Sequence, residues 1–291
     1  MAHPKALSQS GQAASDRVYR HNLAVRLMHW VNFVCLVILL MSGLQIFNAH
    51  PALYWGKSSH FTQSGFFGTP ILSMYAKTNP SGHVIGVTRI GSHTFNTTGW
   101  FGLSDNAHGV PQYRAFPHWA TLPGPQWLAM GRHWHFFFAW ILVANAFAYF
   151  LYSLFSGHLK RDLLPTTGEL RRLGHSLVQH LFLRFPKGNE ALQYNVLQKL
   201  AYLFVIFGLG PLIVLTGLTL SPYMDSVFPP LLRIFGGRQS ARTLHFICAF
   251  SFVGFFIVHM LMVALSGMVD NLRSITTGYR RIAITENKQS K

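Results

Sequence analysis

Four histidines lie in stretches of the chain whose other residues are mostly apolar. His29 and His135 occur in "RLMHWVNFVCLVILLMSG" and "GRHWHFFFAW", and His245 and His259 share "TLHFICAFSFVGFFIVHM". An ionisable side chain in such surroundings is costly to bury and usually serves a function. These stretches contain no Asp or Glu, so a proton-carrying chain of carboxylates is not indicated. Imidazole is a common axial ligand of haem iron, and that is the chemistry to test first.

The spacing of His245 and His259 fits such a role. The two residues are 14 positions apart, which at 100° per residue brings them within about 40° of the same helix face. The helical rise separates them by about 21 Å. One helix therefore offers an imidazole near each surface of a membrane, as two haems stacked across a bilayer require.

The partners of these histidines must come from other helices at matching depth. His29 lies about one turn inside its segment, at the depth of His259, and His135 lies at the start of its segment, level with His245. We therefore predict two haems b with the axial pairs His29–His259 and His135–His245. His133 is the chief alternative to His135 because it is two residues away. For each histidine alone, a hydrogen bond between packed helices is the alternative role.

Two further features accompany the histidines. An arginine precedes three of them by three residues, at Arg26, Arg132 and Arg242. Such an arginine reaches the interface and pairs with a haem propionate, although a single one could simply mark a helix end. Gly43 lies 14 residues after His29 and is predicted to let a porphyrin approach the backbone, with ordinary helix packing as the alternative.

The elements that position these residues are four apolar stretches, each long enough to cross a hydrocarbon core of about 30 Å. They cover approximately residues 27–47, 134–154, 200–220 and 244–266. The predicted fold is an all-α membrane protein, a four-helix transmembrane bundle with a long extracytoplasmic loop between spans one and two. The predicted domains are an N-terminal segment 1–26, a dihaem domain 27–266 and a tail 267–291, with an outer loop 48–133 and an inner loop 155–199.

The formal net charge of +16 has a topological explanation that makes nucleic acid an unnecessary partner. Most basic residues fall before span one, between spans two and three, and after span four. The positive-inside rule makes that side cytoplasmic. We predict a multi-pass protein of the bacterial inner membrane with both termini in the cytoplasm. Arg233, Arg238 and Arg242 on the other side weaken this signal without reversing it.

The two long loops carry further predictions. The outer loop is rich in Trp and Phe, which argues against disorder. It is expected to fold, either as a docking site for an external protein or as a cover over the outer haem. In the inner loop, "ELRRLGHSLVQHLFLRFPKG" is expected to form an amphipathic helix on the membrane surface, stabilised by anionic lipid.

The histidine-bearing stretches, together with "GGRQSARTLHFICAF", resemble the cytochrome b subunits of nickel-iron hydrogenase, thiosulfate reductase and formate dehydrogenase. This resemblance implies a four-helix dihaem module that exchanges electrons between quinone and an extracytoplasmic enzyme. His29 and His259 match the inner-haem ligands of that family, and His135 and His245 match the outer-haem ligands. The stretches "YNVLQKLAY" and "LTGLTLSP" resemble members that work with molybdenum enzymes, so a periplasmic molybdopterin oxidoreductase is the favoured partner over a hydrogenase.

The resemblance also implies a quinone site near the inner haem. The candidates are Tyr194, Asn195, Gln198 and Lys199, for which plain surface roles are the alternative. Two other functions stay open: a stand-alone haem oxidoreductase of the superoxide–quinone or ferric type, and a haem-free transporter or membrane scaffold. The absorbance spectrum of the purified protein distinguishes the last of these from the haem proteins.

Overall fold

The structure is a computed structural model that describes residues 15–59, 69–171, 173–174 and 195–283. Most of the predicted amphipathic helix, and Tyr194, lie outside the described residues. The described beginning of that segment belongs to a short helix, α3 (Thr167–Arg171).

Within the described residues, four helices are long and apolar enough to cross a membrane, which confirms the predicted membrane helices. They are α1 (Leu23–Phe47), α2 (Leu128–Phe155), α4 (Val196–Thr219) and α7 (Arg238–Leu265). Each begins four to six residues before the predicted span, because a helix continues beyond the hydrocarbon core into the interface. Within α4, a π-helical stretch covers Phe204–Leu209, directly before Gly210 and Pro211. Proline lacks an N–H group and cannot continue the regular hydrogen-bond ladder.

Shorter helices follow the third and fourth long helices. They are α5 (Pro222–Val227), α6 (Pro229–Ile234) and α8 (Met268–Thr277).

The all-α expectation is wrong for the segment between α1 and α2, which folds into β-sheets. The strands are β2 (Ala52–Leu53), β3 (Leu72–Thr78), β4 (Val84–Ile90), β5 (His93–Asn96), β6 (Gly102–Asp105) and β7 (Pro111–Arg114). The first four form an antiparallel sheet in sequence order, and β6 pairs with β7. Short strands with tight Gly-containing turns give a weak sequence signal beside four long apolar helices. We call residues 51–59 and 69–126 the cap.

The chain divides into two compact units, which are described separately. The cap-side unit contains residues Met28–Ser156 and Tyr202–Ile257. The terminal unit contains Met1–Leu27, Gly157–Ala201 and Val258–Lys291. In the terminal unit, β1 (Ser15–Tyr19) pairs antiparallel with β8 (Tyr279–Ala283).

Within the cap-side unit, polar contacts hold α1 against α2. The Asn145 amide of α2 donates to the Met28 carbonyl at 2.9 Å and to Asn32 Oδ1 at 2.7 Å. At the other end, Gly131 faces Gln45 so closely that a Cβ atom would lie 2.9 Å from the Gln45 side chain. The small residue therefore permits the close helix approach that places His135 beside α1.

The cap is fastened to the first turn of α7. The Gly56 carbonyl accepts hydrogen bonds from the backbone N–H groups of Gln239 and Ser240, at 3.1 and 3.2 Å. These two donors have no partner within their own helix, so the cap satisfies the helix end. Thr243 donates to the Tyr54 carbonyl at 2.7 Å. The cap thereby fixes the helix turn that precedes His245.

Arg114 organises the interior of the cap. Its side chain is buried and donates to the Phe116 carbonyl at 2.6 Å, the Gly124 carbonyl at 3.0 Å and Thr121 Oγ1 at 2.8 Å. Burial lowers the pKa of Arg114, and the oxygen acceptors compensate for the lost hydration. The Arg114 side chain thus joins β7, the last strand of the cap, to the loop that precedes α2.

We predict that Arg114→Met loosens the cap, because its oxygen acceptors lose their donor in a buried setting. Each unsatisfied buried group costs about 1–3 kcal/mol, so a loss of about 2–4 kcal/mol is expected. Thermolysin should then cut within the cap at a denaturant concentration that leaves the wild type intact. Arg233→Met, at an exposed position, is the matched control. Equal resistance of wild type and Arg114→Met would contradict the role given to this arginine.

Candidate functional site

Two of the predicted ligands meet inside the cap-side unit. The ring centroids of His135 on α2 and His245 on α7 are 6.1 Å apart, with an angle of 64° between the ring planes. Metal–imidazole bonds are about 2 Å long, so two imidazoles on opposite sides of one metal ion have centroids about 6 Å apart. The separation therefore fits two axial ligands of one iron.

The hydrogen bonding of His135 determines which ring nitrogen is available. Ser42 Oγ on α1 lies 3.1 Å from His135 Nδ1 and 2.7 Å from the Ile38 carbonyl. The hydroxyl has one proton and donates it to the carbonyl, so it accepts from the histidine. Nδ1 therefore carries the proton, and the lone pair of Nε2 remains for a metal.

His245 is held in the same way by α4. Thr216 Oγ1 lies 3.1 Å from His245 Nδ1 and 2.7 Å from the Leu212 carbonyl. The Ile213 carbonyl, also 3.1 Å from Nδ1, can only accept. His245 is therefore protonated on Nδ1 as well, and both rings present Nε2 as a ligand.

A glycine follows each of the two hydroxyl-bearing residues and leaves space for the imidazole ring. A Cβ atom on Gly43 would lie 3.3 Å from His135 Cε1, and one on Gly217 would lie 3.2 Å from His245 Cε1. Both distances are tighter than ordinary carbon contacts, so a larger residue would displace the imidazole. Gly43, predicted to admit a porphyrin, is thus seen to accommodate the His135 ring.

The two halves of this site follow one local sequence pattern. "SGL" at residues 42–44 corresponds to "TGL" at 216–218, and the sequence R-x-x-H-F-x-x-A occurs at residues 132–139 and 242–249. Ser42, Thr216 and Gly217 were not among the predicted site residues. The paired patterns are the signal that could have found them, because each hydroxyl–glycine pair supports one histidine.

The structure separates His133 from His135. His133 is exposed, because a step of two residues turns a helix by about 200°. His135 is the residue that faces His245. Among the described residues, no group of three or more His, Cys, Asp or Glu side chains is arranged to hold a metal ion. Two imidazoles suit a metal whose remaining positions a macrocycle fills.

The predicted propionate arginines of this unit lie near the site on the cap side. Arg242 donates to the His50 carbonyl and lies 5.4 Å from the centre of the Phe47 ring. Arg132 is exposed and lies 5.6 Å from the centre of the Phe136 ring. Burial, followed by the charge of Arg242, lowers the pKa of His50. This end of the unit is therefore electropositive.

Acidic residues are scarce in the cap-side unit. Its sequence contains only Asp105 and Asp225, and Asp225 forms an ion pair with Arg238. No carboxylate pairs with Arg132 or Arg242 among the described residues. The two arginines can therefore bind anionic groups that the protein itself does not supply, such as carboxylates of a cofactor.

The remaining candidates are distributed over the two units. His29 belongs to the cap-side unit, whereas His259 and Arg26 belong to the terminal unit. The pairing of His29 with His259 stays a prediction, as does the role of Arg26.

The quinone candidates within the described residues, Asn195, Gln198 and Lys199, form hydrogen bonds and an ion pair with other parts of the protein. The Gln198 side chain accepts from the Asn195 N–H at 3.2 Å, and Asn195 Oδ1 accepts from the Leu197 N–H at 3.1 Å. These bonds form a capping box at the start of α4. Lys199 forms an ion pair with Glu169 at 2.8 Å, and its hydrogen bond lowers the pKa of that carboxyl. A role in quinone binding stays a prediction.

Comparisons with known proteins indicate which family this chain belongs to. A family model described as prokaryotic cytochrome b561 matches residues 20–278. A protein of Azospira oryzae named as a protein-methionine-sulfoxide reductase subunit, YedZ1, is 37% identical over 149 residues, 51% of this chain and 71% of that protein. A protein of Escherichia coli K12 named as a cytochrome, YdhU, is 26% identical over 281 residues, 95% of this chain and 80% of that protein. No solved structure matches.

The family match extends from the residues before α1 to the end of α8, and so includes all four long helices and the cap. It brings with it haem b, electron transport and a membrane location. The His135–His245 pair, with both Nδ1 atoms occupied by hydrogen bonds, gives the structure residues that fit such a haem. The chain belongs to the prokaryotic cytochrome b561 family, as a membrane cytochrome b.

Proposed function

We propose that this cytochrome carries electrons across the bacterial inner membrane, between the quinone pool and a periplasmic redox partner. Two haems b provide the route, one between His135 and His245 and one between His29 and His259. The observation that carries the proposal is the His135–His245 pair, with a ring separation of 6.1 Å. Both termini lie in the cytoplasm, and the cap lies on the periplasmic side.

The residues of the outer site have distinct tasks. His135 and His245 would hold the haem through their Nε2 atoms, while Ser42 and Thr216 hold the rings in one tautomer and orientation. Arg132 and Arg242 attract the propionates. When bound, haem supplies one-electron transfer between ferric and ferrous iron, with a potential set by the axial ligands and burial. The apolar surroundings exclude water and keep the geometry of the imidazoles fixed in both oxidation states.

A molybdopterin oxidoreductase is the proposed periplasmic partner. The Azospira oryzae relative is named as a reductase subunit, which supports a protein that works together with another chain. The cap carries exposed Trp100, Trp119 and Tyr113, residue types that are enriched at protein interfaces. This partner accepts or supplies electrons at the periplasmic end, while quinone reacts near the inner haem.

We predict that His135→Ala and His245→Ala each reduce the haem content from two to one per chain. Removing one axial imidazole leaves the iron without a bis-histidine site. The pyridine haemochrome assay on purified protein measures the ratio. His133→Ala, two residues along the same helix and exposed, should retain both haems. Two haems per chain in His245→Ala would refute the assignment of the ligands. Folded wild-type protein without haem would refute the cytochrome function and would favour a haem-free transporter or scaffold.

We predict that Ser42→Ala and Thr216→Val raise the midpoint potential of the outer haem. An acceptor at Nδ1 makes the imidazole more basic and favours ferric iron, so its removal favours the ferrous state. One hydrogen bond of about 1 kcal/mol corresponds to roughly 40 mV for a one-electron couple. For Thr216→Val this value is an upper limit, because the Ile213 carbonyl still accepts from His245 Nδ1. Redox titration followed at the α band measures the shift.

The matched control for these hydroxyl variants is Ser251→Ala. Ser251 donates to the Ile247 carbonyl at 2.9 Å on α7 and forms no hydrogen bond with a histidine of the described residues. Its removal should leave the potential unchanged. Equal shifts in all three variants would show that the effect is a general loosening of the helices.

We predict that electrons from quinol reach the outer haem through the inner one. In membranes containing His259→Ala, which lacks the inner haem, a reduced quinone should reduce the outer haem at least tenfold more slowly than in wild type. Dithionite should still reduce it fully, as a control for an intact outer site. An unchanged rate with quinol would place the quinone site beside the outer haem instead.

A further inference from the structure

One arginine of the cap has a buried nitrogen atom that forms no hydrogen bond within the described residues. This atom is Nε of Arg89, on β4. The side chain as a whole belongs to a half-buried residue. A buried donor of this kind is rare in proteins and costs free energy unless a group from outside the chain accepts from it. Arg89 was not among the predicted site residues.

The strand register places Arg89 near the segment that joins the cap to α7. Arg89 pairs with Ser73 of β3, and Ser73 pairs with Ala52 of β2. Directly paired residues share one face of a sheet, so these three side chains are neighbours. Tyr54 follows two residues after Ala52, and its carbonyl accepts from Thr243 at 2.7 Å. Arg89 is therefore two strands away from the segment that contacts α7.

Tyr54 lies in the electrostatic field of two arginines. Burial raises the pKa of Tyr54, whereas the positive charges of Arg89 and Arg242 lower it. Such effects weaken with distance, so both guanidinium groups lie close to the same phenol. Arg242 also donates to the His50 carbonyl, and it lies three residues before His245. Arg89 and Arg242 thus form a pair of cations on the cap side of the outer site.

The unit that contains this pair of cations supplies no carboxylate to it. Asp105 and Asp225 are the only acidic residues in the full sequence of the unit. Asp225 forms an ion pair with Arg238, and Asp105 forms no ion pair among the described residues. Two cations beside one phenol repel each other, and an anion bound between them removes the repulsion. The pair is therefore suited to an anionic group that the unit itself lacks.

We propose that Arg89 binds a propionate of the outer haem alongside Arg242, so that the cap contributes a residue to cofactor binding. Guanidinium groups bind carboxylates through parallel hydrogen bonds, and Arg89 retains a buried donor for such a contact. A haem held by His135 and His245 carries two carboxylates, and Arg242 lies one helix turn from His245 on the cap side. The propionate is present only if the proposed haem lies between these histidines, so the inference rests on the proposed function.

The test compares Arg89→Gln with wild type in purified full-length protein. Loss of a positive charge disfavours ferrous iron, so the midpoint potential of the outer haem should fall, as measured by redox titration at the α band. Transfer of this haem to apomyoglobin should become about tenfold faster, as expected for the loss of one charge-assisted hydrogen bond. Arg89→Lys keeps the charge and should retain a potential close to that of wild type.

The matched control is Lys77→Gln. It removes an exposed positive charge from β3, the strand next to β4, and should leave the potential and the rate of haem transfer unchanged. Equal changes in Lys77→Gln and Arg89→Gln would reduce the effect to net charge and overturn the proposal. Cleavage of the cap by thermolysin as rapid in Arg89→Gln as in Arg114→Met would assign Arg89 a structural role and overturn it as well.

Haem content distinguishes failure of this inference from failure of the proposed function. The pyridine haemochrome assay is run on the same preparations of wild type and Arg89→Gln. Two haems in both proteins, with equal potentials and equal rates of haem transfer, would refute the role of Arg89 alone. The unused donor would then serve another anion, such as a carboxylate of a partner protein. Wild-type protein without haem would refute the proposed function and this inference together.

Discussion

Each imidazole of the His135–His245 pair is held by a hydroxyl that has already given its own proton to the helix backbone. Ser42 and Thr216 are fully buried, and water is scarce at this depth of a membrane helix bundle. A histidine there takes whichever tautomer its neighbours impose, since an unsatisfied polar group in an apolar interior is expensive. The two hydrogen bonds therefore leave the Nε2 atoms of both rings available to a metal.

This constraint explains the organisation of the cap-side unit. The hydroxyls lie on α1 and α4, while the histidines lie on α2 and α7, so each histidine-bearing helix needs a neighbour at a fixed height. The Asn145 contacts fix α2 against α1. The cap fixes the position of α7, because the Gly56 carbonyl accepts hydrogen bonds from N–H groups in the first turn of that helix and the Tyr54 carbonyl accepts one from Thr243. The cap therefore helps to position His245.

The distribution of charge is the second organising feature. Carboxylates are nearly absent from the cap-side unit, and Arg132 and Arg242 contact a carbonyl group and aromatic rings instead. Such arrangements leave positive charge available to anions from outside the chain. At the proposed haem site these anions would be the carboxylates of the cofactor.

The sequence by itself determined the four membrane helices and the resemblance to cytochrome b subunits. These follow from hydropathy and the helical repeat, which are local properties of the chain. The β-sheets of the cap escaped notice, because short strands with frequent glycine turns give a weak pattern beside long apolar runs.

Only the tertiary structure shows that His135, and not His133, faces His245, and it alone brings Ser42, Thr216 and Gly217 against this pair of histidines. Those roles depend on which helix lies beside which and at what height. These contacts join Ser42 to His135 and Thr216 to His245, pairs that are separated by 93 and 29 positions in the sequence. Neither composition nor local spacing therefore determines them.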